Sequence, residues 1–296
     1  MSSARRTAVT AILAALFSLS ACERRVESPT PRPQTAQSPT DRHVAAEPTH
    51  QAPSPPVDVD LATEDGITLR GTLYPGATPD APAVILAHQL GSTRAEWAPL
   101  VEALREPPAL TVLALDLRGH GASTRGPRGE ISYATFDSDA WALTSIDVIT
   151  AALYLQNGPA PVRPRRIAAV GSSIGATAVL RAAVNVPALD PLVLLSPGRA
   201  YHGVDGILPA LDLGSRSLLA VSAREELDST DTAAALARIT HGRVQVVDGS
   251  GHGVALFGAR ATLVDEIATF LREGLAREPG REPPVSAPEA DEAPIP

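Results

Sequence analysis

The residues best placed to do chemistry lie at Gly171-Ser172-Ser173-Ile174-Gly175. An apolar stretch, Arg166 to Val170, runs straight into them, and a helix-like stretch, Ala176 to Val184, runs straight out. A strand that turns so sharply into a helix leaves no room for side chains at the flanking positions, and the two glycines answer that need. Ser173, at the centre, is lifted clear of the backbone, and the helix N-terminus beside it favours developing negative charge. This is the setting of a nucleophilic serine; Ser172, one position earlier, reads as structural. A serine hydroxyl is a weak nucleophile at neutral pH, so a histidine oriented by a carboxylate should stand nearby as base.

Three histidines follow Ser173: His202, His241 and His252. His252 lies in Gly249-Ser250-Gly251-His252-Gly253, directly after the apolar run Arg243 to Val247 and before the last helix. Such a glycine-rich loop can bring an imidazole over the edge of a sheet. His241 precedes that run, belongs at the opposite end of the sheet, and reads as a surface residue. His202 follows a strand ending near Leu195 and is a candidate for lining a pocket. After the run Ser217 to Val221 come three acids, Glu225, Glu226 and Asp228. Acyl transfer also needs donors for an oxyanion, normally the N–H after the nucleophile and one from an earlier loop. Ile174 and, in the His88-Gln89-Leu90 turn, Leu90 are the candidates. His88 itself reads as a residue that shapes the loop by a hydrogen bond. No His-x-x-x-His or His-Glu-x-x-His spacing is present, nor a P-loop, nor G-x-G-x-x-G after the first strand. The expectation is therefore no metal and no cofactor.

In order and placement, His88-Gln89-Leu90-Gly91, Asp116-Leu117-Arg118-Gly119-His120-Gly121, the turn around Ser173, and Gly251-His252-Gly253 resemble the α/β-hydrolase superfamily. The similarity is greatest to small serine hydrolases related to dienelactone hydrolases and covers about residues 57–276. It implies the chain order serine, acid, histidine, with His252 as base. It also implies an acid a few residues past a strand end, which points to Glu226, with Asp228 next; glutamate stands where aspartate is usual. The family's customary His-Gly is His-Gln here, a departure that bears on the backbone angle at Gln89. His120 resembles part of a structural turn of the family. Tyr201 and His202, after Ser196-Pro197-Gly198, fall near the family's pocket and are specificity candidates. The activity implied is cleavage of a small carboxylic ester, or of an amide or lactone, through an acyl-enzyme. The rival is a non-catalytic binding or scaffold lipoprotein that keeps the fold.

Positioning these residues requires an α/β domain. Val57 to Leu61 and Thr68 to Leu73 read as an opening hairpin, followed by buried strands at Ala83 to Ala87, Thr111 to Leu115, Arg166 to Val170, Pro191 to Leu195, Ser217 to Val221 and Arg243 to Val247. Helical periodicity fills the gaps: Trp97, Leu100, Val101 and Leu104 share one face, as do Leu263, Ile267 and Phe270. Asp137 or Ser138 is expected to cap a long helix running to about Leu155. Trp97 and Trp141 read as core. The sum is an α/β-hydrolase fold with a mostly parallel eight-stranded sheet and helices on both faces. Pro197 to Leu213 is too short for a large cap domain, so a site fairly open to modest substrates is expected.

The chain has 296 residues, formal charge -8, and 25 basic residues that are all arginine and form no basic stripe. That pattern gives no electrostatic footprint for nucleic acid. At the N-terminus Arg5 and Arg6 precede an apolar run from Ala8 to Leu19, too short for a comfortable membrane span. Leu19-Ser20-Ala21-Cys22 then resembles the lipobox of bacterial lipoproteins. Residues 1–21 are thus expected to be a signal peptide, and Cys22, the sole cysteine, the site of lipidation in an exported protein held at a membrane. Which membrane, and the oligomeric state, stay open. Residues 22–56 and 277–296 are rich in Pro and small or polar residues and are expected to be a disordered tether and tail around a domain at 57–276.

Overall fold

The computed structural model describes residues 54–158 and 162–277. The expected signal peptide, Cys22, nearly all of the tether, and the tail beyond Arg277 lie outside them. Eight principal strands form: β1 (Val57–Ala62), β2 (Thr68–Tyr74), β3 (Ala83–Ala87), β4 (Thr111–Leu115), β5 (Ile167–Ser172), β6 (Leu189–Leu195), β7 (Leu218–Ala223) and β8 (Arg243–Val247). In β3, β4 and β5 every residue is buried, as expected of strands covered on both faces. Their period of two divides the core. Ala83, Ile85, Leu113, Leu115, Ile167 and Ala169 face one layer, whereas Val84, Leu86, Val112, Ala114, Ala168 and Val170 face the other.

Helices close both layers. On the first face lie α3 (Thr144–Asn157), α4 (Ile174–Asn185) and α5 (Leu227–Thr240); on the second, α1 (Ala98–Arg105) and α6 (Leu263–Ala276). The strands lie in the order β8-β7-β6-β5-β3-β4-β2, with β1 beside β2. From β3 to β8 all pairs are parallel, and β2 runs antiparallel to β4 and β1. The chain steps outward from β3 to β4, then crosses back to β5, so the carboxyl ends of β3 and β5 flank the point where the order reverses. Crevices for ligands form at such points.

Three expectations need correction. Strand β8, expected to be buried, is the sheet's edge, and only Val247 in it is buried. The sheet has ten strands, because the short pairs Arg125–Gly126 and Gly129–Glu130 join its β2 edge. The long helix is also split. Asp137 caps only α2 (Ser138–Ala142), accepting from the Ala140 N–H at 2.9 Å, and α3 begins at Thr144. The break at Leu143 lets α2 turn Trp141 into an aromatic cluster while α3 lays Val148, Ala151, Ala152 and Leu155 on the sheet. No cap domain is present in residues 197–213, which form a small hairpin (Ala200–Tyr201 with Val204–Asp205) and one 3₁₀ turn.

The turn after β4 is held by buried charges. Arg118, 2% exposed, donates through its N–H and Nε to the fully buried Asp147 of α3 at 2.8 Å each, and through Nη1 to Asp65 at 2.7 Å. Burial pushes the Asp147 carboxyl up to about 6 even against that guanidinium. Asp116 accepts from the backbone of Arg94 and Ala122 and closes the turn from within. This agrees with a structural part for the segment containing His120. The ring of His120 stacks on Tyr133, with centroids 4.1 Å apart.

Candidate active site

Strand β5 ends at Ser172 and α4 starts at Ile174, so Ser173 alone makes the turn. Its backbone sits at φ 56°, ψ −117°, a conformation costly for a non-glycine residue and held only where neighbours over-determine it. A Cβ on Gly171 would overlap the Gly175 carbonyl, and one on Gly175 would overlap the carbonyls of Ala87 and His88. Helix, β5 and the loop after β3 are thus pressed together around the serine, which is 4% exposed. Ser172 is fully buried and its hydroxyl donates to Gln89 Oε1 at 3.2 Å, in keeping with a structural part.

Strand β7 runs two residues beyond the expected end, to Ala223. Arg224 and Glu225 then donate their N–H groups to the carbonyls of Val247 and Gly249, and Glu226 closes the turn by donating to Ala223. This leaves Glu225 and Asp228 in solvent and carries Glu226 over the sheet. Glu226 Oε1 is hydrogen-bonded to His252 Nδ1. Its Oε2 accepts from the Ser196 hydroxyl at 2.7 Å, and that same hydroxyl accepts from the Gly253 N–H at 2.9 Å. Burial raises the Glu226 carboxyl, but the bonds from His252 and Ser196 outweigh it and hold the group below its ordinary value. Glu226 therefore faces the imidazole as a carboxylate.

Ser173 and His252 are brought to the same end of the sheet, yet no hydrogen bond joins Ser173 Oγ to the imidazole, whose one side-chain bond among the described residues is to Glu226. Catalytic hydrogen bonds are often loose before substrate binds. Gly253, at φ 59°, admits no side chain, because a Cβ there would overlap Gln89 Oε1 and Ser172 Oγ. His241 caps α5 at the opposite end of the sheet and is exposed, as expected.

On the candidate oxyanion side, the N–H groups of Ile174 and Leu90 are spent on no backbone acceptor among the described residues. His88 is fully buried; Nε2 accepts from the Leu117 N–H at 2.9 Å, and Nδ1 donates to the Gln89 carbonyl at 2.7 Å. Burial pushes this imidazole down to about 4, so it stays neutral and shapes the loop. Gln89 needs no left-handed backbone, which answers the departure from His-Gly: its side chain turns inward against Ser172 and Gly253. Glu96, which the sequence reading did not single out, accepts from the Gln89 N–H at 3.1 Å and interacts with Ser92. Burial raises that carboxyl above its ordinary value.

Tyr201 donates to the Ser196 carbonyl at 2.8 Å, and its hydroxyl also interacts with Ser173. Burial raises this phenol, so it remains a neutral donor. His202 is exposed and stacks on Trp141 at 4.6 Å. Trp141, Ile174 and Val204 form a small core with Tyr133, Phe136 and Tyr201 against it. An aromatic wall beside the nucleophile was not foreseen, since its members come from two separate segments. A cavity of about 540 Å³, lined by Gln156, Arg166, Asp190 and Arg216, lies at the opposite end of the sheet, by the amino ends of β5 and β6, and holds none of these groups. The chemistry, not the volume, marks the site.

A family model described as the alpha/beta hydrolase family matches residues 84–229. Among curated proteins, the thiohydrolase aneE of Aspergillus aculeatus is 30% identical over 123 residues, 41% of this chain and 36% of that protein. A polyketide transferase of Gibberella fujikuroi is 40% identical over 74 residues, 25% of this chain and 23% of that protein. The matched stretch thus spans well under half the length of either relative. Among solved structures, the Pyrococcus furiosus esterase Pf2001 superposes with a TM-score of 0.60 at 19% identity, covering 75% of this chain and 93% of its own. A dienelactone hydrolase of Anabaena variabilis gives 0.60 at 17%, covering 76% and 99%. The fold is that of the α/β hydrolases, and the family match supports the same superfamily.

Proposed function

We propose that this chain, α/β-hydrolase in fold, is a serine hydrolase that cleaves carboxylic esters through an acyl-enzyme. The observation that carries this reading is the Glu226–His252 hydrogen bond at the sheet end where Ser173 occupies its strained turn. Ser173 Oγ attacks the carbonyl carbon as His252 Nε2 takes its proton, and the charge that collects on the carbonyl oxygen meets the N–H groups of Ile174 and Leu90. Collapse breaks the acyl C–O bond, and the imidazolium returns its proton to the leaving alkoxide. Water then repeats the sequence on the acyl-serine and regenerates the enzyme. Glu226 holds Nδ1 protonated throughout. Among its relatives in fold and sequence are proteins named esterase, dienelactone hydrolase and thiohydrolase, so simple esters lead, with lactones and thioesters as further arms of the assay. By its N-terminal sequence the protein is exported and anchored at a membrane through a lipid on Cys22.

A fluorophosphonate probe tests the reading. Covalent labelling that disappears in Ser173→Ala and in His252→Ala supports it, while a folded parent protein that neither labels nor hydrolyses any ester, lactone or thioester of the panel favours a non-catalytic binding role.

A further inference from the structure

Ser196 is a residue whose backbone and side chain disagree about what should stand there. It follows the last residue of β6, is completely buried, and sits at φ 47°. Glycine is the residue such a backbone angle favours, and a side chain there is strained. Yet four hydrogen bonds converge on this serine. Its N–H donates to the Val221 carbonyl of β7 at 2.7 Å, and its own carbonyl accepts from Tyr201 at 2.8 Å. The hydroxyl takes the Gly253 N–H at 2.9 Å and donates to Glu226 Oε2 at 2.7 Å. A hydroxyl has one proton to give. Since Gly253 occupies it as an acceptor, that proton is committed to the carboxylate.

We propose that Ser196 is the positioning residue of this site, its hydroxyl fixing the Glu226 carboxylate and the His252 loop against each other. The inference rests on the reading of Ser173, His252 and Glu226 as a catalytic triad. With Oε2 anchored, Glu226 cannot swing away, and Oε1 stays on Nδ1. With the Gly253 N–H anchored to the same oxygen, the loop carrying His252 keeps its distance from the acid. One buried oxygen thereby ties together three segments distant in the chain, at residues 196, 226 and 252–253. The other groups facing this pair are Ser229 of α5 and Tyr201 on the acid, and Glu96 on the imidazole.

The test uses two variants of the full chain. Ser196→Ala keeps the backbone strain and removes the hydroxyl; Ser196→Gly removes both. The second-order rate of fluorophosphonate labelling should fall about 10- to 100-fold in each, the effect of losing one hydrogen bond to a charged group. The Gly variant should nevertheless melt no lower than the Ala variant, because its backbone is relaxed. The acid-side decline of the labelling rate should begin at higher pH than in the parent, since Glu226 has lost a donor that favours its charged form. Labelling within about two-fold of the parent in both variants, or slowing with an unmoved pH profile, overturns the proposal. Ser173→Ala is run alongside: if it labels as the parent does, the triad reading falls, whereas if it is silent and both Ser196 variants label normally, only the role of Ser196 falls.

Discussion

Glu226→Gln is the substitution that tests the site most sharply, because it keeps the side chain's shape while removing its charge. The new amide can sit two ways. With its oxygen towards His252 Nδ1, its nitrogen faces the Ser196 hydroxyl, which already accepts from Gly253, so the serine proton loses its acceptor. That arrangement forfeits charge-assisted hydrogen bonding of roughly 1.5–3 kcal/mol, about 10- to 150-fold in rate at ~1.36 kcal/mol per decade. With its nitrogen towards Nδ1, the imidazole must carry its proton on Nε2 and cannot receive the one from Ser173. The wrong tautomer costs about 10⁴-fold in the serine-protease case of this kind. The expected loss in kcat therefore lies between roughly 10 and 10⁴, with KM little changed because the acid touches no substrate. Glu225→Gln and Asp228→Asn alter exposed carboxylates and should stay within about two-fold, as surface changes of ±0.5 kcal/mol do. Initial rates on a p-nitrophenyl ester decide it. If Asp228→Asn or Glu225→Gln proves crippling while Glu226→Gln does not, the assignment of the acid and the geometry behind it are wrong.

Gly253→Ala should reduce ester turnover at least as severely as loss of Ser196, since its Cβ must displace both Gln89 and Ser172; full activity would show that the loop carrying His252 is not held as described. Arg118→Met strands the buried carboxylate of Asp147 and should lower stability by about 3–5 kcal/mol, read by denaturant unfolding, with unchanged unfolding as the contrary result. Glu226 is held below its reference value of 4.5, so the stability it contributes is present above that pH and is lost as pH falls through its lower folded value. Thermal melts of Glu226→Gln across the acid range should lack that part of the loss, and identical acid profiles would contradict the ionised pairing. Mass spectrometry of the membrane fraction should find a lipid on Cys22 at the start of the mature chain; an unmodified Cys22 in soluble protein would rule out the anchor.

What could be read from the sequence was whatever rests on neighbours in the chain. The turn at Ser173 announces itself because its glycines, strand and helix are contiguous, and the loop of His252 does so because glycines flank an imidazole after an apolar run. Strands β3, β4 and β8 fall on the expected residues for the same reason, each being a short run with clear ends, although β8 is the sheet's edge and only its Val247 is buried. Choosing among Glu225, Glu226 and Asp228 rested on a resemblance, because acids this close together differ only in where the turn aims them. That aim depends on β7 continuing to Ala223 and on Arg224 and Glu225 pairing with the segment after β8. Only the tertiary structure supplies Ser196, whose bonds to Glu226 and Gly253 span 30 and 57 residues, and the Arg118–Asp147 pair, 29 apart. It likewise decides the break at Leu143, where burying Trp141 beside Ile174 prevails over a capped, continuous helix. Local backbone chemistry is written in spacing and residue type, whereas a hydrogen bond between distant segments leaves no periodic trace, because any serine, acid or arginine looks alike until packing brings its partner to it.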